Sequence, residues 1–207
     1  MSLLENLSTD ASIEDEKDSV GGGFVLDSGI YDTTVSLAYL SISSTGATGL
    51  VLQFKTSDNK DIRSTQWMTS GTAKGGHNYY IDKNGEKKYL PGFLIANSLA
   101  KLTIGKEIAE VAAAAEEKVI NVYNAEAKAE VPTKVQMLVE MLNKPVTIGL
   151  IKQVVDRTAK GDDGQYHPTG ETREENEIDK FFHAESKMTT SEIKAGAEAP
   201  AFIETWS

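Results

Sequence analysis

The chain has 207 residues, of which 40% are hydrophobic, so it can bury one substantial core and leave residues over for tails or insertions. It contains no cysteine, which excludes disulfides, thiolate metal sites and cysteine nucleophiles. Its formal net charge of −10 argues, at first sight, against a nucleic-acid partner.

The acidic charge is concentrated at the two ends of the chain. Residues 1–20 hold six acids and one base, and residues 171–207 hold nine acids and four bases. The residues between them hold sixteen of each sign, and within this part residues 63–89 hold five bases against two acids. A basic binding surface is therefore compatible with the acidic whole.

No membrane partner is expected, because the sequence has no run of about 18 apolar residues. The start of the chain is polar and acidic, unlike a secretory signal, and so we expect a cytoplasmic location. Residues 1–23 end in three glycines and are predicted to form a flexible acidic leader.

Three strands are predicted next, over residues 29–43, 50–56 and 62–68. The second alternates apolar and polar residues, and turn-forming residues separate the three, which indicates an antiparallel meander. On the third strand, Arg63, Thr65 and Trp67 share one face.

Residues 67–89 form a basic insert that is rich in aromatic residues. Tyr79 to Ile81 and Lys87 to Tyr89 are predicted to pair as a hairpin, because Asn84-Gly85 favours the positive φ angles of a tight turn. Rings beside cations are typical of surfaces that bind single-stranded nucleic acid, since bases stack on the rings and phosphates approach the cations.

A helical section is predicted after the insert. Ile95, Leu99 and Leu102 recur at helical spacing from about Phe93 onward, and residues 107–118 favour more helix. Residues 119–131 fit either a strand or a helix. Residues 133–142 follow Pro132 and are predicted to form a short helix.

Two further strands are predicted, over residues 146–157 and 177–184, joined by a long polar loop over 159–177. Beyond them, residues 185–207 read as a flexible acidic tail with an aromatic tip, Phe202 and Trp206.

Three strands, a helical section and two strands occur in the order of the OB fold, a five-stranded, partly open β-barrel. We therefore expect residues 24–184 to be mainly β with helices: an OB barrel with a helical insertion between strands 3 and 4 and an aromatic, basic hairpin insert. An unrelated antiparallel α+β sandwich is the alternative.

The chain also resembles phage single-stranded DNA-binding proteins, the small OB-fold proteins of phage replication modules. The segments that carry the resemblance are residues 28–31, 67–71, 78–80, 89–93, 142–146 and 174–178. The resemblance implies non-enzymatic binding and protection of single-stranded DNA with little sequence preference during replication or recombination. It also implies recruitment of replication or recombination proteins through the tail, although this tail has scattered glutamates where the family has a dense acidic run.

The nucleic-acid-binding residues predicted on this basis are Lys55, Arg63, Trp67, Lys74, His77, Tyr79, Tyr80, Lys83, Lys87, Lys88, Tyr89, Lys152 and Arg157. Phe202 and Trp206 are the predicted partner-binding residues of the tail. The three histidines are too scattered for a metal site, and we expect neither a cofactor nor a catalytic group.

Other functions remain open at this point. The aromatic insert could dock a protein in a virion or scaffold component. Asp162, Asp163, Glu174 and Glu175 could hold magnesium in a nuclease. RNA could replace DNA as the ligand, because stacking does not read the sugar.

Overall fold

The computed structural model describes residues 25–124, 127–161 and 166–206, so the predicted leader lies outside the described residues. The strands are β1 (Gly29–Ile42), β2 (Thr48–Thr56), β3 (Asp61–Trp67), β4 (Tyr79–Ile81), β5 (Lys87–Tyr89), β6 (Glu116–Asn124), β7 (Ala129–Met137), β8 (Pro145–Lys160) and β9 (Tyr166–Phe182). The α-helices are α1 (Pro91–Ile104), α2 (Ile108–Ala113), α3 (Thr190–Ala195) and α4 (Phe202–Trp206), and short 3₁₀ helices cover Thr72–Lys74 and Val139–Met141.

Seven strands form one antiparallel sheet around β1. One edge of β1 pairs with β2, while β8 and then β7 share its other edge. Within the described ranges, β3 pairs only with β2 and β9 pairs only with β8, so the sheet is not closed into a barrel. The expected β architecture with helices is confirmed at this level.

The core lies between one face of the sheet and α1. Leu50, Leu52 and Phe54 alternate along β2 toward this core, where the Phe54 ring lies 5.6 Å from that of Phe181. Helix α1 adds Leu99 and other buried residues at helical spacing, as predicted. A smaller apolar cluster around Tyr39, Val135 and Met137 packs on the opposite face of the sheet.

The meander and the hairpin of the insert are confirmed almost to the residue. Both are local antiparallel pairs whose turn residues and alternation are explicit in the sequence. No helix in the described part of the chain is both long and apolar enough to cross a membrane.

The helix predicted over residues 133–142 is wrong, because β6 and β7 pair as a hairpin over residues 116–124 and 129–137. Val135 and Met137 point inward with strand periodicity, and only Val139–Met141 turns, as a 3₁₀ helix. Pro132 pairs with Asn121 on β6, while β7 meets β1 only near Met137. The missing N–H of Pro132 can therefore face the open side of the strand.

The polar loop predicted over residues 159–177 is also wrong. Strands β8 and β9 continue as a paired arm from Lys152↔Asn176 out to Lys160↔Tyr166. Residues 166–177 of β9 are nearly all polar, so their sequence carries no apolar alternation that would reveal a strand.

The segment read as a flexible tail contains two short helices that contact the body of the protein. Lys187 forms an ion pair with Asp32 of β1 and donates to the Thr147 hydroxyl. Helix α3 begins with a capping box between Thr189 and Glu192 and contacts α1.

Candidate nucleic-acid interface

The face of β2 and β3 that points away from the core carries three of the predicted residues. Arg63 pairs with Gln53, and Trp67 pairs with Gly49 at one end of the two strands. Lys55 lies at the other end, 3.7 Å from Asp61. Strand alternation thus places Lys55, Arg63 and Trp67 in one row, as the sequence predicted.

Trp67 rests on a glycine and remains 44% exposed. A Cβ at Gly49 would lie 2.8 Å from the Trp67 ring, so the absence of a side chain there lets the ring lie against β2. Gly92, at the start of α1, approaches the backbone of Trp67 so closely that a Cβ would lie 2.3 Å from its carbonyl oxygen. The base of the insert is therefore fixed beside this ring.

The β4–β5 hairpin is held by its own turn chemistry. The Asp82 carboxylate accepts hydrogen bonds from the backbone N–H groups of Asn84 and Glu86, both at 2.9 Å. Gly85 adopts a φ of 82°, which a side chain would disfavour. Of the two residues predicted to supply positive φ, only Gly85 does so.

Tyr79 is engaged within the protein. Its ring stacks on His77 with centroids 4.8 Å apart, and the Lys87 ammonium lies 4.6 Å from the same ring. Tyr89, its cross-strand partner, packs 4.9 Å from the ring of Phe93 and is 55% exposed. Tyr80 points to the other side of the hairpin and is 47% exposed, so Tyr80 and Tyr89 offer the more accessible rings.

The predicted cations divide into paired and unpaired groups. Lys88 contacts Asp82 and Glu86, Arg157 contacts Glu171, and Lys152 contacts Glu174 at 3.1 Å. The hydrogen bond and charge of Glu174 raise the pKa of Lys152, with Asp27 adding to the effect. Among the residues that the structure describes, no acid forms an ion pair with Arg63, Lys74, Lys83 or Lys87.

Lys152 and Arg157 lie away from the other predicted residues. Gly29 at the start of β1 pairs with Leu150, so both cations belong to the arm beyond that end of β1. Trp67 lies next to Gly49, which pairs with Ser41 near the other end. The two ends are separated by twelve residues, about 40 Å along the strand.

A groove that the sequence did not reveal runs between this face and the β6–β7 hairpin. Its volume is ≈ 390 Å³, and residues from β1, β2, β3 and both strands of the hairpin line it. Tyr39 and Tyr123 contribute rings to its wall. The only sequence signals were the strand periodicity around Tyr39 and the β-branched residues near Tyr123.

Comparison with models of protein families, with curated proteins and with solved structures finds no match for this chain.

The two predicted partner-binding rings of the tail lie against the protein itself. A Cβ at Gly149 would lie 2.9 Å from the Trp206 ring, and the Trp206 indole donates a 2.6 Å hydrogen bond to Asp179. The Phe202 ring lies 6.3 Å from that of Phe182, with the Lys180 ammonium 5.4 Å from it. A partner that captured Trp206 would first have to displace it from β8.

The acids considered for a magnesium site are only partly described. Asp162 and Asp163 lie outside the described residues, while Glu174 and Glu175 contact Lys152 and Arg173 respectively. The described residues contain no group of three or more histidine, aspartate or glutamate side chains placed to hold a metal ion.

Proposed function

We propose that this protein binds single-stranded DNA, with little sequence preference, on the outer face of β2 and β3. The observation that carries the proposal is the half-exposed Trp67 ring on Gly49, in line with an Arg63 that has no acidic partner among the described residues. A flat ring in one row with a cation, four strand residues or about 13 Å away, suits a base and the phosphate of a nearby nucleotide. The role would be non-enzymatic protection of strands exposed during replication or recombination, as in phage replication modules.

The expected mechanism has two steps. Lys74, Lys83 and Lys87 belong to the insert and would attract the single-stranded DNA electrostatically. Bases would then stack on Trp67 and on the exposed rings of Tyr80 and Tyr89. The insert begins at Trp67, so its lysines and the aromatic rings can bind the same DNA strand.

An OB-like arrangement supports the same proposal. Strands β1, β2, β3, β8 and β9 follow the strand order of that fold, with α1 between the third and the fourth. Strand β3 also approaches β9, with Cα atoms within 8 Å, although no hydrogen bonds join them. In the OB fold the nucleic acid lies on the second and third strands, where Arg63 and Trp67 are found.

The test is a titration of the protein with a fluorescent dT oligonucleotide of about 30 bases at two salt concentrations. We expect salt-sensitive binding and quenched tryptophan emission, and a Trp67→Ala variant should bind roughly 5- to 150-fold more weakly. Trp206→Phe, at the other tryptophan, is the matched control and should keep the affinity.

Duplex DNA and an RNA oligonucleotide of the same length complete the experiment. Weak duplex binding is expected, because stacking requires unpaired bases. Absence of binding to the dT oligonucleotide at low salt would refute the proposal and favour a protein-docking role for the insert.

A further inference from the structure

The groove beside the β2–β3 face is not explained by the residues predicted from the sequence. It lies between strands of the sheet and the β6–β7 hairpin, and its volume of ≈ 390 Å³ falls within the range of sites that bind small organic ligands. Its walls include the apolar side chains Leu37, Val51 and Val122. The groove can therefore receive a flat, largely apolar group.

Polar side chains that form no hydrogen bond with the described residues converge on the same groove. Tyr39, Gln53 and Asn121 line it, and their side chains form no hydrogen bond with another described residue. Tyr39 is 9% exposed as a residue. Its hydroxyl forms no hydrogen bond with the described residues, and no fully buried polar side-chain atom among them lacks a partner, so this hydroxyl is in contact with the open groove. A hydroxyl and two amides can both donate and accept, which suits the mixed edge of a nucleobase.

The charges of the groove favour a neutral occupant. Among the described residues, Arg63 and Glu130 are the only charged ones that line it, and they carry opposite signs. A phosphate inside the groove would be repelled by the Glu130 carboxylate. A neutral base would not be repelled, because it carries no charge. The sugar-phosphate backbone would stay outside the groove.

The groove is continuous with the surface around the Trp67 ring. Thr65 and its cross-strand partner Val51 line the groove, and Trp67 and its partner Gly49 follow two residues further along the same face. Two strand residues span about 7 Å. This is roughly twice the 3.4 Å rise per nucleotide of a stacked strand. Adjacent, unstacked nucleotides can therefore reach both places.

We infer that the groove binds a nucleobase of the single strand whose neighbouring base stacks on Trp67, with the Tyr123 ring as its outer wall. Tyr123 is 64% exposed on β6, so the ring is accessible to a base from the solvent side. This inference rests on the proposed function. It adds Tyr39, Gln53, Asn121 and Tyr123 to the binding surface.

The test measures the affinity of the full chain for a dT oligonucleotide of about 30 bases. Tyr123→Ala should weaken binding roughly 5- to 150-fold, the range found for loss of one base-stacking ring. Tyr123→Phe should retain most of the affinity because it keeps the ring. On an abasic oligonucleotide of the same length, Tyr123→Ala and the parent protein should bind equally.

The matched control is Tyr166→Ala, which removes a tyrosine that is 70% exposed on β9, in the arm. Its affinity for the dT oligonucleotide should equal that of the parent, and circular dichroism should show both alanine variants folded. Parent-like affinity of Tyr123→Ala, with weakened Trp67→Ala, would overturn the groove assignment and leave the proposed function standing. Failure of the parent to bind single strands would overturn both.

Discussion

At the scale of single residues, the position of each tryptophan ring depends on the residue against which it packs. Trp67 and Trp206 each lie over a glycine of a neighbouring strand, Gly49 and Gly149 respectively. Neither glycine has a positive φ. Close approach of the indole ring, and not backbone conformation, therefore explains the absence of a side chain at both positions.

Gly49→Ala should lift the Trp67 ring from β2, because the new Cβ would lie 2.8 Å from it. In a Trp206→Phe background, we expect red-shifted emission from Trp67 and single-strand affinity reduced about 5-fold or more. Gly29→Ala is the control, since its Cβ would meet the Tyr31 ring at an ordinary 3.6 Å. Identical emission and affinity in the two alanine variants would contradict the packing described for Trp67.

At the scale of elements, one carboxylate joins the two helices of the tail. Glu192 accepts hydrogen bonds from the backbone N–H groups of Thr189, Ala201 and Phe202, each at 2.8 Å. It thereby joins the start of α3 to the start of α4. These bonds, that of Thr189 first, lower the pKa of Glu192 from 4.5 to about 2.

The lowered pKa gives the tail a defined pH dependence. A carboxyl whose pKa is depressed by folding stabilises the folded form above its unfolded pKa, and this contribution is lost as the pH falls through the folded value. In a Trp67→Phe background, Trp206 emission should therefore report loosening of α4 from α3 as the pH falls from 4.5 toward 2.

Glu192→Gln should loosen the tail already at neutral pH, because one carboxylate oxygen becomes an N–H donor facing backbone donors. Hydrogen exchange at Ala201 and Phe202 should then become faster. Glu198→Gln, at an exposed position, is the control and should exchange as the parent does. Unchanged hydrogen exchange in Glu192→Gln would show that the carboxylate does not hold α3 and α4 together.

At the scale of the whole molecule, where the net charge is −10, the cations of the arm and those of the insert differ in whether they form ion pairs. The arm neutralises its own charges through pairs such as Arg157 with Glu171, whereas the insert leaves Lys74 and Lys83 without acidic partners among the described residues. A phosphate that binds a cation of the arm must first break its ion pair. A phosphate that binds Lys74 or Lys83 need not break one.

The salt dependence of single-strand binding should separate the two kinds. Lys74→Ala and Lys83→Ala should each reduce the slope of log K against log salt by about 0.7, the effect of one lost phosphate contact. Lys152→Ala should leave the slope unchanged, because Glu174 and Asp27 already hold that ammonium. Equal slopes for all three variants would show that the pairs do not distinguish these cations.

The sequence by itself determined the local antiparallel units and the row of Arg63 and Trp67. Alternation and turn residues act over a few positions, and for that reason β1 to β5 and α1 were predicted correctly. It also determined that the basic charge lies in the insert.

Only the tertiary structure decided the rest. Residues 133–142 have helical spacing, but residues 133–137 pair as β7 with β6 and β1, and Val135 is buried. Residues 166–176 of β9 are nearly all polar, so only their pairing with β8 reveals this part of the strand. The groove joins Tyr39 to Tyr123 across 84 positions of sequence, and no local periodicity records which strands a sheet brings together.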